Sequence, residues 1–167
     1  VDIRPIVPAD RRTMTELATS LWGADTVVAH DVAFHPAELP GFLAVEDDSV
    51  VGVVTYTRID AATVEVVTLD ALRRRDGIGT ALLTAVVRAA YGLGARRLVL
   101  TTTNDNVDAL RFYQRRGFHL VALRAGAVTR SRALKPQIPR IGDHGIPLTD
   151  ELELARPLPE LSRPVAD

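Results

Sequence analysis

Near residue 75 the pattern of this chain changes from a run of strands to helices alternating with strands, and that change constrains its fold more than any other feature. Before it, Phe42–Glu46 and Val50–Arg58 are β-rich runs separated by Asp47-Asp48-Ser49, the pattern of a β-hairpin. Thr63–Leu69 is a further β-branched run after the turn Asp60-Ala61-Ala62. After the change, Leu82, Leu83, Val86, Val87 and Ala90 trace one helical face between Gly79 and Leu93. Arg97–Thr102 then reads as a strand, Val107–Arg116 as a helix closed by Gly117, and Phe118–Arg124 as a strand. A meander followed by strand–helix–strand–helix–strand implies crossover connections and some parallel pairing within one sheet.

Upstream, Ile3–Ile6 reads as a first strand, and Met14, Leu17, Ala18 and Leu21 set an amphipathic helix over about 8–22. Residues 23–40 have little periodicity and read as a loop or a broken second helix. Ser131–Thr149, with three prolines and two glycines, reads as a long ordered loop, and Glu151–Ala155 as a final strand. Arg156–Asp167 reads as a loose tail. The expected fold class is α/β (α+β): one domain over 1–155 with a mixed sheet of about seven strands and about four helices, then the tail 156–167.

Composition narrows the chemistry. The 167 residues suit one domain, and no apolar run is long enough to span a bilayer. No basic-then-apolar leader opens the sequence. Cysteine is absent, which excludes disulfides, thiolate zinc sites and cysteine nucleophiles and fits a reducing cytosol; a cytoplasmic location is expected. A net charge of −1 argues against binding nucleic acid through bulk charge. Nineteen of the twenty basic residues are Arg, so lysine chemistry has one candidate, Lys135. There is no P-loop and no Gly-x-Ser-x-Gly elbow. His30 and His35 stand five apart, a poor pairing on a helical face, and no metal site is expected.

Two motifs remain. Arg73-Arg74-Arg75-Asp76-Gly77-Ile78-Gly79-Thr80 lies between a strand and a helix. Glycines let the backbone turn tightly and approach a ligand, and the unpaired N–H groups of a helix N-terminus suit phosphate. Arginines alongside add charge-assisted donors. The plainer reading is an ordinary strand-to-helix turn with solvated arginines. The third glycine of a dinucleotide fingerprint is missing, since Leu82 takes its place. In the second motif, Asn106, Ala109 and Tyr113 share one face of a helix that ends in Gly117-Phe118. By itself that helix reads equally as a capped helix, with Asn104 or Asn106 as cap, carrying a packing tyrosine.

In this order and spacing, the two motifs resemble those of the GNAT superfamily of acyl-CoA-dependent N-acyltransferases. Its pyrophosphate signature, Gln/Arg-x-x-Gly-x-Gly/Ala, is met by Arg74, Gly77 and Gly79. Its Asn-x-x-Ala helix with a following tyrosine and Gly-Phe is met by Asn106, Ala109, Tyr113, Gly117 and Phe118. The resemblance covers most of the chain and implies acetyl-CoA as co-substrate, with no metal. It implies that the backbone around Val67, Thr68 and Leu69 pairs with the pantetheine arm and supplies the oxyanion donor, and that Tyr113 protonates the leaving thiolate. Arg75 and Asp76 depart from many relatives, which carry Gly and a basic residue there; Asp76 is expected to turn from the pyrophosphate or pair with an arginine.

Glu65, placed on a strand face with Val67 and Leu69, is the candidate base, acting through water on the acceptor ammonium; its other reading is a surface carboxylate paired with an arginine. Trp22, His30, Phe34 and His35, with the 131–149 loop, are the candidates for the acceptor pocket, and Asp143, Asp150 and Glu151 would favour a cationic acceptor unless merely solvated. The expected partner is a small-molecule primary amine, with a protein N-terminus or lysine as second choice. Neither nucleic acid nor membrane is expected, and a homodimer is compatible with the sequence. Against an enzyme stands a non-catalytic acyl-CoA-binding regulatory module, and behind that a nucleotide-binding protein using the Gly77-Ile78-Gly79 turn.

Overall fold

The computed structural model describes residues 1–73 and 77–159. The candidate residues Arg74, Arg75 and Asp76, and the tail from residue 160, lie outside the described residues. In chain order the elements are β1 (Asp2–Pro5), α1 (Arg11–Trp22), β2 (Val27–Ala29), β3 (Val32–Phe34), β4 (Gly41–Glu46) and β5 (Ser49–Arg58). Then follow β6 (Thr63–Ala71), α2 (Ile78–Gly92), β7 (Arg97–Thr103), α3 (Val107–Gln114), β8 (His119–Arg124), the short α4 (Ala127–Ser131) and β9 (Glu151–Pro157).

Seven strands form one sheet in the order β1-β4-β5-β6-β7-β9-β8. Its pairs are antiparallel except β6 with β7, which the α2 crossover makes parallel. This is the mixed α/β architecture expected from the change of pattern. One face is covered by α2 and α3: Ile78, Leu82, Leu83, Val86, Ala90 and Tyr113 pack on Val54, Val64, Val66, Leu98, Leu100 and Leu154. On the other face Met14 of α1 meets Leu43 and Val53, with Leu17, Leu21 and Trp22 around them.

Three expectations need correction. Residues 23–40 are neither loop nor helix throughout, because β2 and β3 pair as a separate two-stranded hairpin. A three-residue strand has too few positions to reveal alternation. The last strand runs to Pro157 rather than Ala155, and Leu158 beyond it is buried in the core. The third correction concerns Glu65. Thr57 pairs with Glu65 and Thr55 with Thr68, so two steps on β5 match three on β6. The extra residue is a bulge, and it reverses the face assignment beyond it. Glu65 therefore shares its face with Thr68 and Asp70, while Leu69 packs with Val64 and Val66 against the α2 face. Counting by twos through the bulge put Glu65 with Val67 and Leu69.

The segment between β8 and β9 is ordered by polar anchors. Asn104 accepts the N–H groups of Thr149 and Asp150 and donates to Pro147 O at 2.8 Å. Asp105 accepts the N–H of Asp143 at 2.8 Å. Lys135, the lone lysine, is buried and donates from Nζ to Trp22 O (2.5 Å) and Thr26 O (2.9 Å), tying this segment to the end of α1. Lys135→Met keeps the apolar stem and abandons both carbonyls. The expected loss, read from urea melts, is about 1–3 kcal/mol for the unsatisfied groups.

Candidate active site

The site exists because β6 and β7 part company. Their parallel pairing runs from Thr63–Arg97 to Val66–Leu100 and ends there, yet β6 continues to Ala71 and β7 to Thr103. Past Val66 the β7-side edge of β6 therefore has no neighbouring strand, and its N–H and C=O groups need another partner. A cleft of about 870 Å³ opens at this point. It is lined by Leu69, Asp70 and Ala71 of β6, by residues 77–80 at the start of α2, and by Asn106, Ala109, Phe112 and Tyr113 of α3.

Gly77, at φ +73°, is the N-cap of α2 and has no side chain with which to cap it. The first bond closing the helix is Ala81 N to Gly77 O at 3.0 Å, so the N–H groups of Ile78, Gly79 and Thr80 have no acceptor within the helix. That end carries partial positive charge and points into the cleft's lining. A Cβ on Gly79 would meet Phe112 Cε2 and Cζ at 3.3 Å, so glycine allows α2 and α3 to approach here. Ile78 contributes backbone only, since its side chain is in the core. Asn106 caps α3, its side chain accepting the N–H of Ala109 at 3.1 Å.

Tyr113 lies two turns on, packed edge-on between Phe112 and Phe118. Burial, with help from the Asp70 carboxylate, raises its pKa well above the ordinary phenol value. Both residues line the cleft, although Asp70 belongs to the α1 face of the sheet and Tyr113 to the other, so the gap between β6 and β7 joins the two faces. Burial raises the Asp70 pKa too, while Trp22 Nε1 donates to its Oδ2 at 3.1 Å and pulls the other way.

On the α1 face, Glu65 is 3% exposed and has His30 Nε2 2.7 Å from its Oε1. This replaces the alternative of a surface Glu paired with an arginine. Burial is the main influence on Glu65 and raises its pKa; the His30 bond and charge oppose it. Phe34 meets the His30 ring edge-on at 5.6 Å. Glu151, expected as either acceptor-binding or solvated, is buried instead and accepts the His30 N–H and Arg124 Nε. Asp150 accepts the Gly126 N–H, and Asp143 is on the cleft lining.

The structure thus gathers Leu69, Gly77, Ile78, Gly79, Thr80, Asn106, Ala109 and Tyr113 around one cleft; His30, Phe34 and Glu65 meet one another instead, off the cleft lining. Trp22 stands behind Asp70. Some expected members fall elsewhere. Val67 and Thr68 are not on the lining, and the Thr68 hydroxyl is buried against that of Thr55 at 2.7 Å. His35 is exposed, with its carbonyl accepting the Glu38 N–H. Arg73, from the arginine cluster of the first motif, is on the lining; sequence reasoning missed Arg111, Phe112, Arg115 and Arg116. Arg116 lies 3.7 Å above the Phe112 ring centroid and donates from Nη2 to Thr80 Oγ1 at 2.6 Å. The readable signal was Arg111-x-x-x-Arg115-Arg116, which follows Asn106 at helical spacing.

A splayed parallel pair with an uncapped helix N-terminus and arginines beside it defines a class: proteins that hold an extended, phosphate-bearing ligand along a free strand edge. Residues 9–118 match the family model described as Acetyltransferase (GNAT) family. The chain belongs to that family and is an acyl-CoA-dependent N-acyltransferase. It is 39% identical over 143 residues to the uncharacterised protein YdhI of Bacillus subtilis (strain 168), covering 85% of this chain and 89% of YdhI. Its fold is similar to that of the IAA acetyltransferase from Bacillus cereus ATCC 14579, with a TM-score of 0.73 at 23% identity over 94% of this chain and 99% of that one. A GNAT family acetyltransferase from Elizabethkingia anophelis, solved with acetyl-CoA bound, gives a TM-score of 0.67 at 21% identity over 94% and 97% of the two chains.

Gly79→Glu places both bulk against Phe112 and a negative charge on the α2 N-terminus. CoA affinity measured by calorimetry should fall at least about tenfold, a coupling cost near 1.4 kcal/mol, in a protein that still melts cooperatively. Unchanged affinity would move the ligand's phosphates elsewhere.

Proposed function

We propose that the protein transfers the acetyl group of acetyl-CoA directly to the primary amine of a small molecule, both substrates being bound together. The observation that carries this reading is the gap past Val66–Leu100. It exposes a strand edge between the uncapped start of α2 and Tyr113, and Asp70, which shares the opposite face with Glu65, lines it too. Acetyl-CoA supplies the thioester. The N–H groups at residues 78–80 and the neighbouring arginines hold its pyrophosphate, and the β6 edge past Val66 receives its amide-bearing arm.

The acceptor amine reaches the site as an ammonium and attacks only when neutral. Glu65 takes that proton through a water molecule. Burial raises its pKa, which makes it a better base than an exposed carboxylate. Backbone N–H of β6 near the bulge steadies the oxyanion. Tyr113, whose phenol is held protonated, donates to the departing thiolate. The carboxylates of Glu65, Asp70, Glu151 and Glu153 outnumber the Arg124 guanidinium on the acceptor face, which favours a cation there. The β2–β3 hairpin and the 131–149 segment form the walls of that side.

A library of primary amines, scored by free thiol released from acetyl-CoA, tests the reading at once; no turnover with any amine would overturn the small-molecule acceptor. Two variants test the roles. Glu65→Gln should lower turnover by about 10²–10⁴-fold and regain part of it at high pH, where the amine is already neutral. In the wild type the acid limb of activity should lie above the ordinary carboxylate range, because the base works only once deprotonated. Tyr113→Phe should fold normally, bind acetyl-CoA nearly unchanged and lose about 10–10³-fold in turnover. Full activity in a folded Tyr113→Phe protein would make the tyrosine a packing residue only.

A further inference from the structure

His30 occupies an uncomfortable backbone position. Ala29-His30-Asp31-Val32 joins β2 to β3 through a two-residue turn with φ +40° at His30 and +66° at Asp31. Such turns favour Asn and Gly, because a Cβ at positive φ crowds the backbone. Conformations of this kind persist where the surroundings over-determine them, and they gather at functional sites.

Three contacts over-determine His30. Its N–H donates to both carboxylate oxygens of Glu151, at 3.0 and 3.2 Å. Its ring meets Phe34 edge-on. Its Nε2 lies 2.7 Å from Glu65 Oε1. Glu151 is itself steadied by Arg124 Nε at 3.2 Å, and Arg124 reaches on to Glu153 Oε2 at 2.6 Å and Thr101 Oγ1 at 2.8 Å. The chain of contacts therefore runs from β8 and β9 through the hairpin tip to β6. A strained turn, clamped by a buried carboxylate, delivers one imidazole nitrogen to one carboxylate oxygen.

We infer that His30 is the positioning residue of the Glu65 base: donating from Nε2, it fixes one carboxylate oxygen, and the second oxygen serves the acceptor side. This rests on the reading of Glu65 as the base. An ionised carboxylate only accepts hydrogen bonds, so the nitrogen facing it must carry the proton. The charged groups around the pair are Glu151 and Glu153 of β9, Arg124 of β8, Asp70 further along β6, and Asp31 in the turn. Burial and Glu153 raise the Glu65 pKa; His30 and Arg124 lower it, and His30 is the one in direct contact. Removing the imidazole leaves burial less opposed, so the carboxyl holds its proton to higher pH.

The test separates this role from simple packing. His30→Asn suits a positive φ but is too short to reach Glu65, whereas His30→Gln restores an N–H at the distance of Nε2. Glutamate labelled with ¹³C at the carboxyl reports the titration of Glu65 directly, its resonance identified by its absence in Glu65→Gln. With His30→Asn the Glu65 titration should move to higher pH, and with His30→Gln it should return toward the wild-type position, both proteins still melting cooperatively. An unchanged titration in His30→Asn overturns the inference. So does a wild-type His30 ¹⁵Nε2 resonance that shows no inflection where the Glu65 carboxyl titrates, a measurement that needs no folded His30 variant. Normal turnover by Glu65→Gln is a different failure, since it removes the base and leaves the coupling of the two side chains standing.

Discussion

The limit of the parallel β6–β7 pairing is the constraint from which the rest of the site follows. Four residues on each strand pair, and then the strands diverge. A sheet interior ordinarily satisfies every backbone polar group, so a break in the middle of one is costly unless something else completes it. Here the break lies between the last paired residues and two helix starts, the one at Gly77 and the one at Asn106. The bulge in β6 sits just past the same point, at the only register shift between β5 and β6. Beyond it the strand turns Leu69 toward α3 and Asp70 toward α1, so a single strand serves both sides of the opening.

The two faces solve opposite problems. On the α2–α3 side the core is apolar up to the cleft, and Tyr113 is held by edge-on aromatic contacts that fix its ring without engaging it in an ion pair. On the α1 side, carboxylates are buried near the sheet's middle, and each needs a partner. Glu65 has His30, Glu151 has Arg124 and a backbone N–H, and Asp70 has the Trp22 indole. These partners come from the hairpin tip, the outer edge strand and α1, three places far apart in sequence. The α1 side is thus a polar network in which displacing one member strands another, a setting where positions become specific.

Much of this was legible beforehand. The meander, the crossover helix and the final strand announced themselves because each is long enough for its period to show, as with Leu82, Leu83, Val86 and Ala90 on α2. The glycines at 77 and 79 and the helix begun by Asn106 marked the lining of the cleft, since backbone requirements there restrict residue type locally. Less was legible on the α1 side. The β2–β3 hairpin is too short to alternate, its turn lacks the usual Asn-Gly, and the bulge that sets the Glu65 face leaves no mark in a run of valines and threonines.

Local chemistry, then, was written in the sequence: which helix begins where, which backbone must be bare, and which face of α3 carries a phenol. Those properties depend on residues within a turn or two of one another. Tertiary structure alone decided which side chains meet. His30, Glu65, Arg124 and Glu151 come from four separate elements, and their meeting depends on strand order and on a one-residue slip in register. The same holds for the cleft itself. Parallel strands with free ends are a relation between β6 and β7, and no residue in either strand specifies it, because the divergence depends on how the helices and β9 pack around them.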